Sequence, residues 1–132
     1  MTPYEIQKAL GDFLSLNWTA TTIRKINKDT AATAPYIEMY FRPGETFSLE
    51  IQGVGERVGV FMINIFTKIG VGTQEGSVYA GMLEDLFWHK KIEDIVCESG
   101  DVLPYTNDLG VDNLHQLYHH QVVIPFSVIM EY

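Results

Sequence analysis

The sequence predicts an α+β domain: a mostly antiparallel sheet with two helices packed on one face. Three observations lead there. Two segments carry apolar residues at helical spacing, several others alternate apolar and polar residues, and the connections between the alternating segments are short and hairpin-like. At 132 residues the chain fits one domain spanning 1–132, long enough to bury a core without disulfide staples.

The first segment opens with a capping box. Thr2 is the expected N-cap, Pro3 takes the first helical position and Glu5 completes T-x-x-E. Ile6, Ala9, Leu10, Phe13 and Leu14 then share one face, and the helix is expected to end near residues 15–17. Within residues 19–34, Thr21-Thr22-Ile23 suits a short strand, and Asn27-Lys28-Asp29-Thr30 reads as a loop. Residues 35–41 alternate, with Ile37, Met39 and Phe41 on one face and Tyr36, Glu38 and Tyr40 on the other. Arg42-Pro43-Gly44-Glu45 is a turn signal. Phe47, Leu49 and Ile51 alternate after it, as a second strand or a long hairpin arm. Residues 53–56 break that pattern. Residues 57–67 are apolar enough for a central strand.

A glycine connector, Gly70-Val71-Gly72, leads to a second helix with Thr73 as its expected N-cap. Tyr79, Met82, Leu83, Leu86 and Phe87 form its apolar stripe, and His89, Lys90 and Lys91 close it. A short strand over 92–98 and a polar loop over 99–116 follow. The last strand, 117–130, places Val122, Ile124, Phe126, Val128 and Met130 on one face. Pro125 implies an edge position or a bulge.

Composition excludes several functions. The formal net charge is -8, and residues 92–132 carry seven acids and no Lys or Arg. Phosphate backbones are gripped by clustered bases, so tight nucleic-acid binding is not expected. An acidic wall would instead repel DNA passing by it. No run of about 18 apolar residues marks a membrane span, and residues 1–5 do not begin a signal peptide. The lone cysteine, Cys97, permits no internal disulfide and fits a reducing compartment.

Candidate chemistry is thin, and no cofactor is expected. His115, His119 and His120 cluster, and with Asp112 or Cys97 could suggest a metal site. Adjacent strand residues point to opposite faces, however, and no zinc spacing is present; surface or interface histidines are the expectation. Gly70, Gly72 and Gly76 do not complete a phosphate-binding fingerprint, because position 75 is Glu75. Cys97 sits in an apolar run and reads as a small hydrophobe. Glu84-Asp85 and Glu93-Asp94 read as solvated acids. Trp18, Trp88, Tyr36, Tyr40, Tyr118 and Tyr132 suit either the rim of the core or a protein interface.

The run Pro35-Tyr36-Ile37 to Phe41-Arg42-Pro43-Gly44-Glu45 resembles the strand and "PGE" turn of tail terminator and tail-completion proteins of long-tailed bacteriophages. Arg57-Val58-Gly59-Val60-Phe61, the Gly70-Val71-Gly72 connector, Leu86-Phe87 at the helix end and Gln121 to Phe126 follow in that family's order, over roughly residues 2–131. The resemblance implies a non-catalytic virion protein, assembled in the host cytoplasm and placed at the head-proximal end of the tail. Its partners would be further copies of itself in a sixfold ring, the tail tube protein and the head or neck connector, with DNA passing through the lumen and no membrane. Expected contact residues are Arg42, Glu45, Phe47, Leu49, Ile51 and Arg57 on the arm, and Asp101, Tyr105 and Asp108 on the loop. Glu93, Asp94 and Glu98 are expected to line the lumen. Alternatives are a head–tail connector or neck ring, a small metal- or nucleotide-dependent enzyme using His115, His119 and Asp112, and a bacterial protein-binding module.

Overall fold

A computed structural model of the chain describes residues 1–24, 33–48, 53–70, 72–112 and 116–131. The first helix, α1, spans Pro3–Asn17 and carries the expected capping box: Thr2 Oγ1 accepts from the Glu5 amide at 3.2 Å, and the Thr2 amide donates to Glu5 Oε1 at 3.1 Å. Ile6, Leu10 and Leu14 are its buried stripe. The short strand β1, Thr22–Arg24, runs parallel to β2, Tyr36–Ser48. β2 pairs antiparallel with β3, Val54–Lys68, and β3 with the last strand.

Four expectations are corrected in this half of the chain and the helix that follows. Arg42-Pro43-Gly44-Glu45 is not a turn. β2 continues through it and absorbs the residues as an irregularity between Pro43 and Thr46. A bulge adds residues to one strand and bends it without ending the pairing, which is why turn-forming residues fit there. β3 begins at Val54, earlier than position 57. The second helix, α2, spans Gly72–Phe87, so Thr73 lies inside it, not at its cap. The helix also stops at Phe87, and His89 follows with a positive φ of 48°, leaving the cations beyond the last turn.

The segment after α2 is more structured than expected. The single strand over 92–98 is instead a tight hairpin of β4, Lys91–Ile92, and β5, Ile95–Val96, turning through Glu93 and Asp94. The 99–116 loop contains a strand, β6, Tyr105–Asp112. β7, Leu117–Glu131, is not an edge strand: it lies between β3 on one side and β5 and β6 on the other. Pro125 nevertheless finds a one-sided position. β6 pairs with β7 as far as Val123 and β5 resumes at Ser127, so residues 124–126 are flanked, among the described residues, by β3 alone. A residue without an N–H donor is tolerated at such a local edge.

The sheet order is β1-β2-β3-β7-β5-β4, with β6 also on β7. Cross-strand partners share a face, so Ile37, Ile65 and His120 lie on one side, as do Phe61 and Ile124, and Ile63 and Val122. This face packs against both helices in one apolar cluster with Ile6, Leu10, Leu14, Ala80, Leu83 and Phe87. Met82 departs from the expected stripe and is 45% exposed, because Ala80 takes the buried place on α2. Trp18 caps α1 and is buried, its indole N–H donating to Thr21 Oγ1 at 2.8 Å.

Two glycines are dictated by close approach. A Cβ on Gly59 would lie 2.6 Å from Phe126 Cζ and 2.7 Å from the Arg42 carbonyl oxygen, so the arm can bend over β3 only without it. A Cβ on Gly76 would overlap the His120 ring. Gly76→Ala should therefore destabilise the fold by about 1–3 kcal/mol through overpacking. In a His120→Ala background the same change should cost little, a coupling that urea titration of the four-member mutant cycle would reveal.

Candidate interaction surfaces

The histidines separate as strand geometry demands. His119 lies on the face away from the helices, with Nε2 2.9 Å from Asn64 Oδ1 and its ring stacked on Phe66 at 4.6 Å. Asn64 Oδ1 also accepts from Gln121 Nε2 at 3.1 Å. His120 lies on the helix face and is only 2% exposed, which corrects the expectation of a surface histidine; Ile65 and Asp108 are its strand partners. Its Nε2 is 4.0 Å from Asp108 Oδ2, and neither ring nitrogen has a hydrogen-bond partner among the described residues. His89 is exposed, with Nδ1 3.9 Å from Glu98 Oε1. His115 lies outside the described residues. No group of three or more His, Cys, Asp or Glu among the described residues could hold a metal ion.

Cys97 is fully buried, and desolvation pushes its thiol up to about 12. The thiolate is the reactive form, so this group is inert at neutral pH.

The helix-free face carries a charge pair. Arg24 Nη1 donates to Glu38 Oε1 at 2.8 Å, the Tyr40 hydroxyl to Glu38 Oε2 at 3.4 Å, and the guanidinium lies 5.8 Å from the Tyr36 ring centroid. Glu38 is 7% exposed although no described helix covers this side. Burial raises the Tyr36 and Tyr40 hydroxyl pKa values, and the neighbouring Glu38 charge adds to it. Sequence alternation had placed Glu38 on the solvent side and gave no sign of its partner fourteen residues earlier.

The expected contact residues fall in three places. Arg42 and Glu45 are exposed on the outer edge of β2. Arg57 turns inward, with Nη1 donating to the Met1 carbonyl and Nε to Thr46 Oγ1, both at 3.2 Å, and so ties the arm to the start of α1. The side chain of Phe47, and Leu49 and Ile51, lie outside what is described. Glu93 and Asp94 are exposed at the β4–β5 turn, Glu98 is half-buried beside it, and Asp101 is exposed in the next turn. Tyr105 and Asp108 lie on β6, both exposed. Asp108 is held by the Tyr118 hydroxyl at 2.8 and 3.0 Å and the Gly110 amide at 3.0 Å, which lower its pKa.

Sequence reading missed β6 as a strand edge. Among the described residues, β6 pairs only with β7, and residues 39–48 of β2 have no partner on the side away from β3. β6 also exposes Leu109 at 50% and Val111 at 47%. Among the described residues, two unlike strands therefore lack an outer partner, β2 beyond residue 38 on one side of the sheet and β6 on the other, besides the short end strands β1 and β4.

Two outcomes follow. Arg24→Met strands the buried Glu38 carboxylate, whereas Glu38→Gln frees a partly exposed guanidinium. The first should lose roughly 3 kcal/mol and the second clearly less, as read by denaturant unfolding. The raised Cys97 pKa means that the folded state holds the thiol proton more tightly. Its contribution to stability is complete below the ordinary value of 9.0 and is lost as pH rises towards about 12. Cys97→Ala should shrink the alkaline loss of stability, and iodoacetamide at pH 8 should label the thiol only after unfolding.

No curated protein matches the chain. One solved structure of similar fold superposes with a TM-score of 0.59 at 21% identity, covering 96% of this chain and 91% of the other; it speaks for the fold alone. No described helix is long and apolar enough to cross a membrane. A family model described as phage tail terminator protein matches residues 5–102, from α1 through both helices, the β2–β3 arm and the β4–β5 hairpin. The chain belongs to the phage tail terminator family, a structural family of the virion tail whose members meet other tail components.

Proposed function

We propose that the chain acts as one domain and forms a ring, of six copies, on the head-proximal end of a phage tail tube. The ring ends tube polymerisation and presents a joint to the head or neck, after assembly in the host cytoplasm. Family membership over residues 5–102 supports the tail role. The observation that carries the ring is that, among the described residues, two unlike strands, β2 beyond residue 38 and β6, lack an outer partner. A closed ring needs heterologous contacts, one patch meeting a different patch on the next copy, and a sheet open at two dissimilar strands offers such a pair.

Of the residues of the enzyme reading, His119 and Asp112 lie on the helix-free face, and His115 lies outside the described residues. The acidic turn at Glu93 and Asp94, with Glu98 behind it, would face the lumen. There it would keep DNA from adhering by charge repulsion.

Light scattering behind size exclusion, over a wide concentration range and then with purified tail tubes present, tests the ring. A mass near six subunits, free or on tube ends, is expected; a fixed dimer or tetramer under all conditions contradicts it. Reversing Glu93, Asp94 and Glu98 to Lys together should slow DNA ejection from assembled phage while leaving tails complete. Unchanged ejection would remove the lumen assignment.

A further inference from the structure

We infer that neighbouring copies join by strand addition, residues 39–42 of β2 in one copy pairing antiparallel with residues 105–108 of β6 in the next. This rests on the ring reading above and names the contact within it.

Both edges have the character of strands awaiting a partner, each over a short run. Among the described residues, β2 has no partner on its outer side from residue 39, and Pro43 with the irregularity before Thr46 interrupts it. β6 likewise has no outer partner from Tyr105 among the described residues, and its own irregularity falls between Asp108 and Gly110, where Gly110 has a φ of 73°. Proline and bulges on edges restrict indiscriminate pairing. Here they leave one regular four-residue run on each edge, so the two runs match in length. A contact this short is weak taken singly, and ring closure on a template would strengthen it through multivalency.

Direction follows from topology. β2 with β3, β3 with β7, and β7 with β6 are all antiparallel, so β2 and β6 run in opposite senses within one copy. Continuing the sheet by rotation about an axis along the strands keeps that relation between copies.

Register follows from the faces. Glu38, Asn64, Gln121 and Asn107 are successive cross-strand partners, which puts Asn107 on the helix-free face; Tyr40 lies on that same face two residues beyond Glu38. A one-residue slip would turn the apolar face of one copy towards the solvent face of the next. Full overlap of the two runs sets Tyr40 opposite Asn107 and Arg42 opposite Tyr105. The exposed Arg42 guanidinium then meets the face of an exposed aromatic ring, a favourable cation–π arrangement. Charge agrees as well, because all nine Lys and Arg lie in residues 1–91 and the β6 side of the chain is purely acidic.

The test is a pair of cysteines, Tyr40→Cys with Asn107→Cys, placed in one chain. Buried Cys97 stays silent under these conditions. Opposed antiparallel residues have Cβ atoms about 4.5–5.5 Å apart. Mild oxidation of the protein bound to tail tubes should give a covalent ladder reaching the full ring on non-reducing gels, and each single variant should give none. Arg42→Cys with Tyr105→Cys serves as a second pair should the first variant fold poorly. A ring seen by light scattering or on tube ends with no ladder from either pair overturns the edge contact and leaves the ring intact. A protein that never forms a multimer overturns both.

Discussion

The β3–β7 ladder is the constraint on which the rest of the structure depends. It runs without a register shift from Val54 opposite Glu131 to Lys68 opposite Leu117. Side chains alternate with a period of two, so this one register assigns every residue of both strands to a face. Phe61, Ile63 and Ile65 join Val122, Ile124 and Phe126 beneath the helices, and α1 and α2 bury their stripes on that surface. Phe66, Asn64 and His119 are turned to the other side together. Irregularities are displaced to the outer strands, at Pro43 and Thr46 on β2 and at Asp108 and Gly110 on β6.

The core was legible wherever periodicity was strong. The α1 stripe, the Ile37–Met39–Phe41 alternation and the Val122–Ile124–Phe126–Val128 alternation all lie where the pattern put them. Reading failed where turn chemistry occurs inside a strand. Pro43 and Gly44 signal a turn locally, yet Gly44 and Gly59 let two strands pass closely through a bulge, an outcome decided by tertiary packing. β6 was hidden for the same reason: Asn107, Asp108 and Gly110 are loop residues by composition, and their strand is specified by β7 beside them. Pro125 was half-legible. Its need for a free side was correct, but the free side is a gap between β6 and β5, not the rim of the sheet.

The interaction surfaces were legible only in part. Arg42, Glu45, Tyr105 and Asp108 are exposed, whereas Arg57 is committed to Met1 and Thr46 within its own chain. Exposure of single residues says little about partners. Backbone without a partner among the described residues, on β2 and β6, says more, because an open strand is a template for another strand. The Arg24–Glu38 pair steadies the face beside one such edge, and the Asp108–Tyr118–Gly110 hydrogen bonds hold the other. In the proposed ring, such local order would precede assembly and lower the entropy lost when copies meet.

The central claim is that this protein stops tube growth from one end. It is tested most directly by polymerising purified tail tube protein with and without it and measuring tube lengths by electron microscopy. The account predicts that tubes stop growing once the protein is added, with extra density at one end of each tube. Tubes that keep lengthening at an unchanged rate with the protein in molar excess would contradict it.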